Sequence, residues 1–109
     1  MSSGLVIKER ETENSVNVVI SGEVDIYTCQ DLKSTLYKYV DKYGKSLVLD
    51  CERLNYIDST GLGVFVAVLK KVKQIDKDIT IENLRDSIIK LFSITKLDSL
   101  FNIKNQAGS

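Results

Sequence analysis

A small mixed α/β domain is predicted by three features of this chain. Short β-branched runs alternate with segments of helical period, the first two runs are separated only by turn residues, and 109 residues with 43% hydrophobic content suffice for one core. The expected architecture is a small mixed β-sheet of four to five strands with amphipathic helices packed over it. Residues 1–109 form a single domain, and the small, polar ends, 1–4 and 105–109, are expected to fray.

The elements follow in order. Runs 5–7 and 16–21 are rich in β-branched residues and flank the turn chemistry of Glu13-Asn14-Ser15, so the sheet opens as an antiparallel hairpin. After Gly22 the period changes, and from Thr28 onward Leu32, Leu36, Tyr39, Val40 and Tyr43 share one helical face. Thr28 with Asp31 reads as a shortened capping box, and Gly44 as the helix stop. Leu47-Val48-Leu49 has the continuous apolar character of a central strand buried on both faces. Residues 54–58 read as a loop into a second helix with a core face of Leu62, Phe65, Val66, Leu69 and Val72. That helix ends in Lys70, Lys71 and Lys73, solvated cations that favour its dipole. Ile79-Thr80-Ile81 is a further strand, Leu84, Ile88, Leu91 and Phe92 mark a third helix, and residues 100–103 close the chain after a short turn. Such alternation implies parallel pairing through right-handed crossovers.

Composition removes several classes of function. Fifteen basic residues balance fifteen acidic ones, so no global field draws the chain to nucleic acid or to an anionic membrane. A charged-then-apolar leader is absent, and no apolar run approaches the roughly 20 residues of a membrane helix, which makes a soluble cytoplasmic protein the expectation. Cys29 and Cys51 lack CxxC spacing and read as reduced packing residues. Histidine is missing altogether, and with it the usual general base and the commonest metal ligand. Asp25, Asp50 and Asp58 fall near strand ends and would bind an oxygen-seeking cation only if they converged. The expectation is no enzyme activity, no metal and no cofactor.

The distinctive segment is 56–66, YIDSTGLGVFV. Asp58-Ser59-Thr60-Gly61 has one residue too many for an aspartic-protease loop, and Gly61-Leu62-Gly63 lacks the third glycine of a dinucleotide fingerprint. What remains is a pair of hydroxyls at a helix mouth, able to cap the helix, to hold a phosphate there, or both. On the plainest reading Ser59 is only an N-cap. Gly61, Val64 and Val68 form a second apolar stripe, with Val64 well away from the core row, which suggests a docking surface beside a modifiable hydroxyl.

This segment closely resembles the signature of bacterial anti-sigma factor antagonists, the single-domain members of the STAS family. Gly22-Glu23-Val24-Asp25 sits where that family carries GE-(I/V/L)-D, and Leu91-Phe92-Ser93-Ile94-Thr95 followed by Leu97 resembles its LFxITGL segment. The Asp-Ser-Thr-Gly form is that of the general-stress, sigma-B branch. Lys96 replaces the usual glycine, a source of strain wherever the backbone needs positive φ. The resemblance implies a partner switch. The unphosphorylated protein binds an anti-sigma factor that is also a serine kinase and so frees the sigma factor; the kinase modifies Ser59, with Thr60 the alternative acceptor, and a PP2C-type phosphatase reverses the step. The expected partner-binding residues are Asp25, Asp58, Ser59, Thr60, Gly61, Gly63, Val64 and Val68, with the two small glycines admitting a kinase loop. Asp58 either orients Ser59 or assists capping. The competing readings are a nucleotide-binding or scaffolding STAS module and, disfavoured by the missing histidine, a small serine-dependent hydrolase or transferase.

Overall fold

The expected hairpin forms and is longer than its β-branched runs. In the computed structural model, which describes residues 4–104, β1 (Leu5–Glu11) pairs antiparallel with β2 (Ser15–Val24), from Leu5 opposite Gly22 to Glu11 opposite Val16. Thr12 closes the turn, donating both its backbone N–H and its hydroxyl to the Ser15 carbonyl. Fraying was expected at both ends; residues 1–3 and 105–109 lie outside the described residues, but Gly4 is tied in, its carbonyl accepting the Glu23 N–H at 3.0 Å. That contact accounts for Gly22. Its φ is +105°, and a Cβ there would stand 1.7 Å from the Gly4 carbonyl oxygen, so only glycine lets the strands meet at this point.

Helix α1 (Cys29–Tyr43) buries Leu32, Leu36 and Val40 and stops at Gly44, which is left-handed at φ 61° with its N–H on the Val40 carbonyl. The capping box at its start does not form. Thr28 is buried, and its hydroxyl donates to Glu23 O at 2.8 Å and accepts from Asp25 N at 3.0 Å, while Asp31 stays exposed. The hydroxyl is engaged in sealing the end of β2 and is not available to the helix.

Strands β3 (Ser46–Asp50), β5 (Ile79–Glu82) and β6 (Asn102–Lys104) extend the sheet in parallel, giving the order β1-β2-β3-β5-β6. Between β3 and β5 in sequence lies β4 (Leu54–Ile57), which runs parallel to the last residues of β2 on the edge that β3 also uses. The sheet therefore has six strands, one more than the four to five expected, because residues 54–57 are a strand and not a loop. Their pattern conceals it. The register steps from Gly22–Leu54 to Glu23–Tyr56, so β4 carries an extra residue and its buried side chains, Leu54 and Ile57, sit three apart, without the period of two.

The strands alternate cleanly. Val16, Val18, Ile20, Leu47, Leu49, Ile79 and Ile81 are buried, whereas Asn17, Val19, Val48, Asp50, Thr80 and Glu82 between them stay partly exposed. One face of the sheet is thus covered by helices and the other is open, which corrects the expectation that β3 is buried on both faces. Helices α2 (Ser59–Lys73) and α3 (Asp86–Ile94) complete the covered side, followed by a 3₁₀ turn, Leu97–Ser99. All three phenylalanines cluster beneath them: Phe65, Phe92 and Phe101 have ring centroids 5.8–6.4 Å apart, tilted or edge-on, a geometry that aromatic quadrupoles favour.

Helix α2 is buried over a wider arc than its core row predicts. Leu62, Phe65, Leu69 and Val72 are inside as expected and Val66 is only half-buried, but Gly61, Val64 and Val68 are inside as well. The second apolar stripe is therefore core and not exposed surface. The reason is that α2 has a neighbour on each flank: Phe65 meets Phe92 of α3, and Lys71 reaches Asp41 at 3.0 Å and the Tyr37 ring at 4.9 Å on α1. Val64 and Val68 precede Lys71 by seven and three residues and share its side of the helix.

Candidate functional site

The parallel pairing of β2 with β4 brings the distinctive residues together. Val24 and Ile57 are register partners, and the Asp58 N–H donates to the Val24 carbonyl at 3.3 Å, so Asp25 and Asp58 leave adjacent strand ends side by side. Chain direction then turns at both points into a helix. Asp25 is fixed by its own loop, its carboxylate accepting the N–H groups of Tyr27 at 2.9 Å and Thr28 at 3.1 Å.

Asp58, not Ser59, caps α2. Its carboxylate accepts the N–H of Thr60 at 3.0 Å and of Gly61 at 3.3 Å, and takes the Thr60 hydroxyl as well. These donors hold the Asp58 carboxyl below the ordinary aspartate value of 3.8, the Thr60 hydroxyl contributing most. The two neighbouring hydroxyls consequently differ. Thr60 is tied to Asp58, whereas Ser59 is exposed at the first helical position and has no side-chain hydrogen bond among the described residues.

The two glycines also differ. Gly61 is buried, and a Cβ there would come within 2.5 Å of Ile57 Cγ1 and 2.7 Å of Val24 Cγ1; its smallness lets the helix seat on the two strand ends. Gly63 faces open space one turn beyond Ser59. Of the expected partner-binding residues, Asp25, Asp58, Ser59, Thr60 and Gly63 gather at one surface, Gly61 lies beneath it, and Val64 and Val68 are in the core.

One part of this surface escaped the sequence reading. Ile26 is 67% exposed and Tyr27 is 87% exposed, both in the loop that follows Asp25. Two large apolar side chains in succession, immediately after a strand-ending aspartate, were the available signal. They supply an apolar contact beside the hydroxyl that the second stripe of α2 does not.

No cluster of three or more cysteine and acidic side chains suited to a metal occurs among the described residues, and Asp50 stands apart at the end of β3, accepting Asn83 Nδ2 at 3.2 Å. Cys29 and Cys51 are both free thiols; burial pushes the Cys51 thiol up and out of reach of ordinary ionisation. No helix among the described residues is long and apolar enough to cross a membrane.

The chain that builds this site belongs to the STAS domain family, whose model matches residues 7–109. Within it the chain is similar to the anti-sigma-B factor antagonist of Listeria monocytogenes, with 38% identity over 108 residues, 99% of this chain and 94% of that protein. To the anti-sigma-B factor antagonist of Bacillus subtilis it is 37% identical over 101 residues, 91% of this chain and 92% of the relative. The fold is shared with solved structures of lower identity. An anti-sigma factor antagonist from Mycobacterium paratuberculosis matches with a TM-score of 0.79 at 21% identity, covering 92% of this chain and 85% of that one. The Bacillus antagonist SpoIIAA in its phosphorylated form matches at 0.71 and 15% identity, covering 94% and 95%.

Proposed function

We propose that this protein is an anti-sigma factor antagonist that works as a phosphorylation-controlled ligand in the cytoplasm. Unphosphorylated, it binds an anti-sigma factor and releases the sigma factor; phosphate on Ser59 ends the association. The anti-sigma factor is itself the serine kinase, and a PP2C-type phosphatase restores the binding form. The chain is phosphoacceptor and ligand, not catalyst.

One observation carries this reading: of the two hydroxyls in the segment, Ser59 is exposed and uncommitted while Thr60 is engaged by Asp58. The physical consequence is two-sided. A phosphate adds about −1.5 to −2 charges, and at a helix N-terminus it is stabilised by roughly 0.3–2 kcal/mol, so the fold persists. At an interface it must be desolvated beside Asp58 and Asp25, and a thousandfold loss of affinity corresponds to about 4 kcal/mol, within the range of an unpaired buried charge. Gly63 leaves room for a kinase loop, and Ile26 and Tyr27 offer the apolar contact.

The test is calorimetric titration with the purified anti-sigma-B factor encoded in the same genome. Wild type and Ser59→Ala bind alike, and Ser59→Asp binds at least a hundredfold more weakly. After incubation with that kinase and ATP, peptide mapping places the phosphate on Ser59. Equal affinity of wild type and Ser59→Asp, or phosphate on Thr60 alone, overturns the reading.

A further inference from the structure

The helix that carries Ser59 also forms one wall of an open groove farther along its length. Val66, Leu69, Lys70 and Lys73 of α2 face Ser99 and Leu100 across a space of about 650 Å³. Its floor is apolar. Leu100 is 50% exposed, and Val66 is half-buried. Its rim is basic: Lys73 forms an exposed pair with Asp78, and Lys70 has no ion-pair partner among the described residues. At 100° per residue Ser59, Val66, Lys70 and Lys73 fall within about 60° of one another on the helix circumference, so groove and phosphoacceptor share one face. Val66 lies about 10 Å along the axis from Ser59 at 1.5 Å per residue.

We infer that this groove is a second docking point for the same partner and receives an amphipathic helix with an apolar stripe and acidic flanks. The inference rests on the proposed phosphoswitch for the identity of the partner. Charge complementarity selects the occupant: Lys70 carries an uncompensated charge on the rim, Lys73 shares its charge with Asp78, and no acidic residue lines the groove, a setting that matches carboxylates beside an apolar stripe. A second copy of this chain would set lysine rim against lysine rim, and the balanced charge of the chain gives an anionic membrane no general attraction. The wall runs from residue 66 to the end of α2 at residue 73 and its C-cap Gln74, about two helical turns, enough for the i, i+3 and i+7 anchors of a docked helix. Because it stands away from Ser59, the groove raises affinity by the same factor whatever the charge at the phosphoacceptor, and the phosphate still sets whether the association lasts.

Leu100→Asp and Lys70→Glu are measured against the same anti-sigma-B factor, each in the wild-type and the Ser59→Asp background, with circular dichroism and thermal unfolding as fold controls. Each groove variant is expected to weaken binding at least tenfold in wild type and by the same factor in the Ser59→Asp protein, with the fold unchanged. Lys70→Arg, which keeps the charge, is expected to bind as wild type and so separates the charge effect of Lys70→Glu from a structural one, while the unfolding curves guard against a purely structural effect of Leu100→Asp. Groove variants that bind as wild type while Ser59→Asp remains defective overturn the groove and leave the phosphoswitch standing. An undiminished Ser59→Asp protein together with weakened groove variants overturns the phosphoswitch and leaves the groove.

Discussion

At the scale of single residues, the site is a division of labour among three consecutive side chains. Asp58 caps, Thr60 supports the cap, and Ser59 is left exposed. Asp58→Ala is expected to lower stability by about 1 kcal/mol, the usual value of an N-cap, read by chemical denaturation. The pH dependence has a definite sign. Because the folded Asp58 carboxyl lies below its ordinary value of 3.8, the stabilisation is fully present above that value and is lost as pH falls through the lower folded one. Asp58→Ala should therefore flatten the acid limb of the stability profile. Lys96 offers a gain in the other direction. It occupies the left-handed region at φ 63°, which favours glycine, so Lys96→Gly is expected to raise stability by about 0.5–1 kcal/mol, visible as a higher Tm. Asp76 and Asn83 also have positive φ, but both are residue types that tolerate it.

At the scale of elements, α2 is the informative one, and its two glycines separate packing from access. Gly61→Ala drives a methyl into Ile57 and Val24 and is expected to destabilise by about 1–3 kcal/mol. Gly63→Ala meets nothing and gains helix propensity, about 0.5–1 kcal/mol of stability, while weakening partner binding if a kinase loop approaches there. Denaturation of the two variants side by side checks the contrast. The same helix shows what sequence conveys and what it does not. Its period announced Leu62, Phe65, Leu69 and Val72, because those positions repeat every three or four residues along one row. Val64 and Val68 read in sequence as an exposed docking stripe and are core instead, since a single helix does not reveal that α1 will cover its second flank. Strand β4 was hidden for a related reason: its extra residue removes the alternation by which strands are read. Asp25, Asp58 and Ser59 were legible from the order of residue types; the exposed Ile26 and Tyr27 were not, because apolar residues in sequence default to the core.

Across the whole molecule, the helical layer is braced to the edge of the sheet by a small tyrosine cluster at the far end of α1. The Tyr43 hydroxyl donates to the Glu9 carboxylate on β1 and so holds the Glu9 carboxyl below its usual range. Tyr39 beside them is pushed up to about 12, first by burial and then by the Glu9 carboxylate. The sign follows. Tyr39 contributes stability that is whole below its ordinary value of 10.0 and declines as pH rises from there toward 12, so alkaline unfolding should track phenolate absorbance in that window. Phe65, Phe92 and Phe101 bind α2, α3 and the approach to β6 into one core, and Phe92→Ala is expected to cost about 3–5 kcal/mol by denaturant unfolding.

On the edge away from β1, the ten-residue β2 outlasts β3: β3 accompanies it through Val19, and the short β4 accompanies its final stretch, from Gly22 to Val24, where the pairing with β1 also ends. Ser59 and the Asp25 loop are thereby mounted where the sheet narrows to the tips of β2 and β4, beyond the last residues that β3 pairs. Amide protons at those tips should exchange with solvent sooner than those joining β2 to β3, through openings that leave the remainder intact. Such a tapering end can be gripped, modified and reshaped by a visiting protein with little transmission to the foundation beneath it.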